Sequence, residues 1–272
     1  MPENILDIIR VKYHSLNATE QKIASYTLDS ASRVQNMSIS ELARESGVSE
    51  ATVSRFCRRL DLSGFFALKL ELAKASRSGE SAPRESFCAD VENEAKSAVT
   101  TTVARLSKEA LERAAEMIER AGRIVAVGYG STSIAAAELV NVFSTVSLKF
   151  SSVADVHSQT ATVSLMSKGD LLILFSYSGS TVEGTELLRF AKERGIPTLL
   201  LTHFEESPSA KYADTVLCYG VDESPYRVGS VPVRIAQMVL IDALFRTYED
   251  RNRADCGASL CAVTEALANK HI

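Results

Sequence analysis

The sequence predicts two domains of different class: an all-α helix-turn-helix bundle over residues 1–76, and a three-layer α/β sandwich with a five-stranded parallel sheet over residues 91–272. Three observations lead there. The first 76 residues are helical in pattern and hold no credible strand. The stretch "RSGESAPRESF" then clusters Ser, Gly, Pro and charge, which reads as a linker, placed at 77–90. From Arg123 onward, short apolar runs alternate with amphipathic stretches. This is the pattern of right-handed crossovers onto a parallel sheet covered on both faces.

The helical region opens with an amphipathic stretch at 3–13, and Asn17 with Glu20 then caps a helix reaching about Leu28. In "SISELARESGVSEATVSRFCRRL" (38–60), Ser38 and Glu41 form an S-x-x-E capping box that starts a helix through Glu45. Gly47 suits the positive φ that ends such a helix in a tight turn, and Ser49 caps the next helix, with Glu50 near its positive end. Ala43, Gly47 and Val53 stand at helix-turn-helix spacing: the small Ala admits close approach, the Gly turns the chain, and the Val packs between the helices. Leu42, Val48, Phe56 and Leu60 supply the remaining apolar contacts. A further helix is expected around Phe65–Ala75.

That inward set leaves Thr52, Arg55, Arg58 and Arg59 on the polar side of the second helix, with Ser54 nearby and Ser49 at its start. Arginine can grip guanine bidentately in a major groove, and threonine can touch a thymine methyl or a phosphate. Arg59 and Lys69 are expected on the phosphate backbone. A solvated charged face is the bland alternative, and the Ala–Gly–Val spacing argues against it. Cys57, beside this strip, is expected to be a buried packing thiol.

In the second region Ile124–Val127, Leu148–Ser152, Leu171–Phe175, Thr198–Thr202 and Thr215–Cys218 read as buried strands, with helices near 132–145, 156–166, 182–194 and 231–248. Residues 91–120 read as two helices, the second capped by Ser107. The strand at 171–175 runs into Ser176-Tyr177-Ser178-Gly179-Ser180-Thr181 and then a helix. Hydroxyls and a glycine at a helix N-terminus suit a phosphate, which the unpaired N–H groups and the helix dipole attract. The first strand ends similarly in "VGYGSTS" (127–133). Gly128-x-Gly130-x-x-Ser133 lacks the third glycine of a dinucleotide fingerprint, and Lys149 stands where an acidic ribose ligand would be expected, so a nucleotide-dependent oxidoreductase is disfavoured. Gly130, Ser131 and Thr132 on one loop, with Ser176, Ser178, Gly179, Ser180 and Thr181 on the other, are the candidate walls of one anion pocket.

Composition narrows the class. A chain of 272 residues with 46% hydrophobic and 24% charged residues can build a core in both halves. Its net charge of −4 excludes a generally basic nucleic-acid coat, yet a small basic face is enough for sequence-specific binding. Five scattered cysteines without C-x-x-C spacing read as reduced thiols of a cytoplasmic protein. Metal ligation by Cys256, Cys261 and His271 has little support from their spacing. No apolar run is long enough to span a membrane, and no signal peptide is read at the N-terminus.

Taken together, "SISELARESGVSEATVSRFCRRLDLSGFFALKLELA" resembles the N-terminal domain of RpiR-type regulators, and "VGYGSTS" with "FSYSGST" resembles a sugar isomerase (SIS) domain. The resemblance spans nearly the whole chain, and the two motifs in this order are more specific than either alone. It implies a homodimeric or tetrameric regulator that binds double-stranded operator DNA and a phosphosugar effector, without a cofactor. Carried onto this sequence, Arg55 and Arg58 are DNA contacts, and Ser131, Ser178, Ser180 and Thr181 are effector contacts. Asp61 departs from the pattern, since the family usually has glycine there. The insertion "VPV" in "YRVGSVPVRIAQMVLIDALF" is a second departure. The alternative function is an aldose–ketose isomerase, which needs a positioned base. Glu138, Glu183, His157 and His203 are the candidates, and no motif fixes any of them in the pocket.

Overall fold

The computed structural model describes residues 4–77, 87–221 and 229–268. The chain divides into two compact units, with a boundary between Asn93 and Glu94. Of the linker expected at 77–90, residues 78–86 lie outside the described residues. Residues 87–90 are the first turn of a helix, which corrects that boundary.

The first unit holds α1 (Ile5–Lys12), a 3-10 turn (Tyr13–Ser15), α2 (Ala18–Asp29), α3 (Ala31–Gln35), α4 (Ile39–Glu45), α5 (Glu50–Arg59) and α6 (Phe65–Arg77). Both capping boxes form: Asn17 with Glu20 opens α2, and Ser38 with Glu41 opens α4. Ile9, Ile23, Val34, Leu42, Val53, Phe56, Leu68 and Leu72 are fully or almost fully buried in one core. α3 was not expected; it is a five-residue helix, too short to declare itself by periodicity.

The second unit begins within α7 (Phe87–Arg105), followed by α8 (Lys108–Arg120), capped by Ser107. Five strands follow: β1 (Ile124–Gly128), β2 (Phe150–Ser152), β3 (Leu171–Phe175), β4 (Thr198–Thr202) and β5 (Thr215–Cys218). Between and after them run α9 (Thr132–Phe143), α10 (Val156–Ser164), α11 (Val182–Glu193), α12 (Val231–Arg251) and α13 (Arg253–Ala268). The sheet is all-parallel in the order β2-β1-β3-β4-β5. Alternate residues of each strand face opposite layers. Ile124, Ala126, Ile173 and Leu199 pack with α8, α9 and α12, while Val125, Val127, Leu172 and Leu200 pack with α10 and α11. This is the three-layer sandwich expected from the buried apolar runs. α13 was missed: Cys256 is its one buried residue among those described, so it has no amphipathic stripe to read.

Lys149 precedes β2 and so lies at the amino edge of the sheet, away from the loops that follow the strands. Its ammonium donates to the carbonyls of Ile118 and Glu119 at the end of α8 (2.6 and 3.2 Å), and burial lowers its pKa. Its reading as a residue at the ribose position is corrected.

Two turns fix α5 in length. After α4, Gly47 takes φ +64°, and the N–H groups of Gly47 and Val48 return to the carbonyls of Arg44 and Ala43. After α5, Asp61 takes φ +63°, and the N–H groups of Asp61 and Leu62 return to Arg58 and Cys57. Both are Schellman closures, and the second puts an aspartate where glycine is usual. A carboxylate at a helix C-terminus meets the negative end of the dipole. Lys12 answers it, donating to Asp61 Oδ2 at 2.6 Å and to the Arg59 carbonyl at 3.0 Å. Gly47→Ala should cost about 1 kcal/mol of unfolding free energy, because only glycine takes positive φ freely. Asp61→Gly should be neutral or gain up to about 1 kcal/mol for the same reason. Urea unfolding of both variants checks the opposite signs.

Candidate functional site

On α5 the structure separates residues that the sequence grouped together. Val53, Phe56 and Cys57 are fully buried, and burial pushes the Cys57 thiol up to about 12, so it is an inert packing group. Arg55, Arg58 and Arg59 are exposed on the opposite side, and Ser54 is half-buried beside them. Ser49 Oγ accepts the Thr52 N–H at 3.2 Å and shares a hydrogen bond with Thr52 Oγ1 at 2.9 Å.

Two expectations are corrected here. Thr52 is only 8% exposed, and its hydroxyl accepts from Arg55 Nη2 at 2.9 Å. It therefore aims Arg55 and does not itself stand on the reading surface. Lys69 is 9% exposed; its ammonium donates to the Met37 carbonyl at 3.0 Å and lies over the Phe65 ring. It satisfies the chain ahead of α4, which corrects its reading as an exposed cation. Arg59 Nη2 donates to the Ser15 carbonyl at 3.2 Å while the residue stays exposed.

In the second unit the two candidate loops lie side by side because β1 and β3 are neighbours, with Gly128 in register with Phe175. This is the point where the strand order reverses, and open parallel sheets bind ligands in that crevice. Gly128 is required: a Cβ there would sit 2.5 Å from the Thr132 carbonyl oxygen. Gly130 and Gly179 both take φ +58°. At Gly184 a Cβ would stand 3.2 Å from both Leu174 and Tyr129, so the first turn of α11 lies tight against β3 and the β1 loop.

The hydroxyls divide into two sets. Thr132 is 7% exposed, and its Oγ1 accepts the Tyr129 N–H and donates to the Tyr129 carbonyl (2.9 and 3.0 Å). Ser176 is 3% exposed, with its Oγ buried and unpartnered beneath the loop. These two shape the loops. Ser131 and Thr181 occupy the N-cap positions of α9 and α11 without side-chain capping bonds. Ser178 Oγ accepts the Ser180 N–H at 3.2 Å and pairs with Ser180 Oγ at 2.9 Å. Ser131, Ser178, Ser180 and Thr181 are half-buried or exposed at two helix N-termini, whose dipoles and free donors are the chemistry suited to an anion. Tyr129 adds a phenol kept protonated, its pKa raised to about 12 by burial and by the Glu183 charge.

Sequence reading missed Gln159. It is fully buried, and its Nε2 lies 3.3, 2.9 and 3.4 Å from the carbonyls of Gly128, Val153 and Ala154, tying the ends of β1 and β2 together. No motif marks it, because its partners are backbone atoms distant in sequence. His203, an isomerase candidate, stacks on Tyr177 (centroids 5.1 Å apart) and places Nδ1 3.1 Å from the Tyr219 carbonyl. Arg105 Nη2 donates to the His203 carbonyl at 2.7 Å. These bonds hold His203 as a structural wedge. His157 and Glu183 are exposed and Glu138 is half-buried. Among the described residues no group of three or more His, Cys, Asp or Glu could hold a metal, and no helix is long and apolar enough to cross a membrane. Of the Cys256, Cys261 and His271 set, His271 lies outside the described residues.

Residues 3–79 match the helix-turn-helix domain of the rpiR family, and residues 117–246 match the SIS domain. A helix-turn-helix-type transcriptional regulator of Caldanaerobacter subterraneus subsp. tengcongensis is 34% identical, covering 99% of both chains. HexR of Pseudomonas aeruginosa, a regulator of the same type, is 30% identical over 97% of this chain and 96% of its own. Among solved structures, the Vibrio vulnificus NanR protein complexed with ManNAc-6P superposes with a TM-score of 0.91 at 25% identity, covering 99% of this chain and 100% of that one.

Two substitutions test the corrected roles. Thr52→Val should lower DNA affinity by up to about tenfold, and its effect should vanish in an Arg55→Ala background, as a double-mutant cycle would read. Lys69→Met should cost about 1–3 kcal/mol of stability by orphaning the Met37 carbonyl, while the salt dependence of DNA binding stays unchanged.

Proposed function

The chain belongs to the rpiR family of helix-turn-helix transcriptional regulators with a C-terminal SIS domain, and from that premise we propose that it binds operator DNA under the control of a phosphorylated sugar. The observation that carries the effector reading is the pair of glycine-hinged loops at the β1/β3 switch point. There the N-termini of α9 and α11 converge with Ser131 and Thr181 uncommitted to capping. A phosphate dianion is the chemistry such an arrangement favours, and the hydroxyls beside it suit a sugar. NanR, bound to ManNAc-6P, supports the class of ligand without naming the sugar for this chain.

On the DNA side, Arg55 and Arg58 stand three residues apart on the exposed face of α5 and are proposed to read base edges, with Ser49, Ser54 and Arg59 at their flanks. A homodimer or tetramer would place two such helices about one DNA turn apart on a palindromic site. DNA as partner and a metabolite as effector fit a cytoplasmic protein. The sugar acts only through its different affinity for the two states of the protein, so a coupling of about 1–3 kcal/mol is expected.

Ser131→Ala combined with Ser178→Ala should abolish the response of operator affinity to phosphosugars and leave affinity without sugar intact. Fluorescence anisotropy with and without the best member of a phosphosugar panel measures both. A full response in the double variant would place the effector elsewhere. Reciprocally, operator DNA should change sugar affinity by the same factor. Arg55→Ala should weaken specific binding by about 1–3 kcal/mol and relax base preference at one position.

A further inference from the structure

Helix α7 carries its larger apolar side chains on the outside. Among the described residues it buries only Ala98 and Thr102, both small. Phe87, Val91, Val99 and Val103 stand 70%, 57%, 42% and 54% exposed. With Ala95, half-buried between them, they recur at every fourth residue and form one row along the helix. A helix that packs only on its own domain turns its large apolar residues inward. Nor can α7 turn to hide the row. Thr102 Oγ1 accepts the Gly220 N–H at 3.2 Å, and a Cβ on Gly220 would stand 2.6 Å from the Thr101 carbonyl oxygen, so the small-residue side is seated on the chain after β5. A row of Phe and Val left outside in this way marks a surface that another surface covers.

The row itself says what covers it. From Ala95 it reads alike in both directions, with Val91 and Val99 four residues away and Phe87 and Val103 eight away. A second α7 laid antiparallel and centred on Ala95 therefore sets Val91 against Val99, Phe87 against Val103 and Ala95 against Ala95. Rows of this spacing interlock at a crossing angle of about −50°, and a small residue at the crossing point lets the axes approach to roughly 8 Å. Charge agrees with the same register. Glu92 and Lys96 share one flank of the row, and antiparallel pairing leaves Glu92 of one copy only about 3 Å along the axis from Lys96 of the other. A parallel pair would instead set that flank against the Ala98 side of the other copy, which its own domain already covers. We propose that α7 is the seat of a two-fold contact with a second copy of this chain, antiparallel and centred on Ala95. This rests on the homo-oligomer reading given above and names the surface for it.

The test is sedimentation of the full chain at micromolar concentration, as wild type and as Val91→Glu/Val99→Glu. Both positions are exposed, so the variant should keep the wild-type circular dichroism. The wild type should be a dimer, or a tetramer that the variant reduces to a smaller species. In the variant the dissociation constant of the α7 contact should rise on the order of a hundredfold or more, because carboxylates would be buried in it. Glu92→Lys alone should weaken the assembly, and Glu92→Lys/Lys96→Glu should restore it, since the swap leaves unlike charges facing. Independently, Ala95→Cys in a Cys88→Ser/Cys261→Ser background should give a covalent dimer under mild oxidation, because axes roughly 8 Å apart put the two positions within disulfide reach. A monomeric wild type overturns the homo-oligomer reading and this proposal with it. A wild-type oligomer that Val91→Glu/Val99→Glu leaves intact, that the charge swap fails to restore, or that Ala95→Cys does not cross-link overturns this proposal alone.

Discussion

Parallel strands impose one constraint from which the sensing half follows. Each strand must return over a face of the sheet, so every crossover helix starts at the carboxyl edge with its first N–H groups directed away from the strand that feeds it. Where β1 and β3 lie adjacent and their helices leave for opposite faces, two such starts gather beside one crevice. Glycines gather there for three reasons: Gly128 lets backbone approach backbone, Gly130 and Gly179 take positive φ, and Gly184 makes room for the Leu174 and Tyr129 side chains. The two helix dipoles give these loops a positive field without any lysine or arginine in them. Gln159 completes the arrangement by gripping carbonyls at the ends of β1 and β2, which steadies a three-residue edge strand that has little ladder of its own.

The reader half obeys a different economy. Its core is built from a few fully buried aliphatic and aromatic side chains, and its polar residues are mostly employed in holding one another. Thr52 holds Arg55, Lys69 holds the Met37 carbonyl, and Lys12 holds Asp61. The polar residues that remain exposed on α5 are therefore fewer than a helical wheel suggests.

Much of this was legible in the sequence, for identifiable reasons. Strands β3, β4 and β5 were read to the residue because buried runs of Leu, Ile and Val are bounded by polar turns. Capping boxes announced α2 and α4 because the box is a local motif whose two bonds join residues three apart. The candidate loops were located because hydroxyl clusters between strand and helix are conspicuous. What escaped reading was tertiary. Thr52 and Ser131 look alike as small hydroxyl residues near helix starts, yet one is consumed by a neighbouring arginine and the other makes no capping bond. Lys69 reads as a surface cation until α6 turns it toward Met37. Helix α13 has no apolar stripe that would show it, and Gln159 acts through backbone carbonyls that leave no trace in side-chain pattern.

The two left-handed turns at Gly47 and Asp61 have a bearing on how such a protein diversifies. They clamp α5 at both ends, so its length and rotation are set by backbone bonds that do not involve the exposed side chains. An insertion or deletion within α5 would rotate everything beyond it by about 100° and carry core residues to the surface. Exchange of Ser54, Arg55 or Arg58 disturbs neither the turns nor the core. On the proposed reading of these side chains, a change of target sequence therefore needs only point substitutions and no change in the length of the helix that presents them.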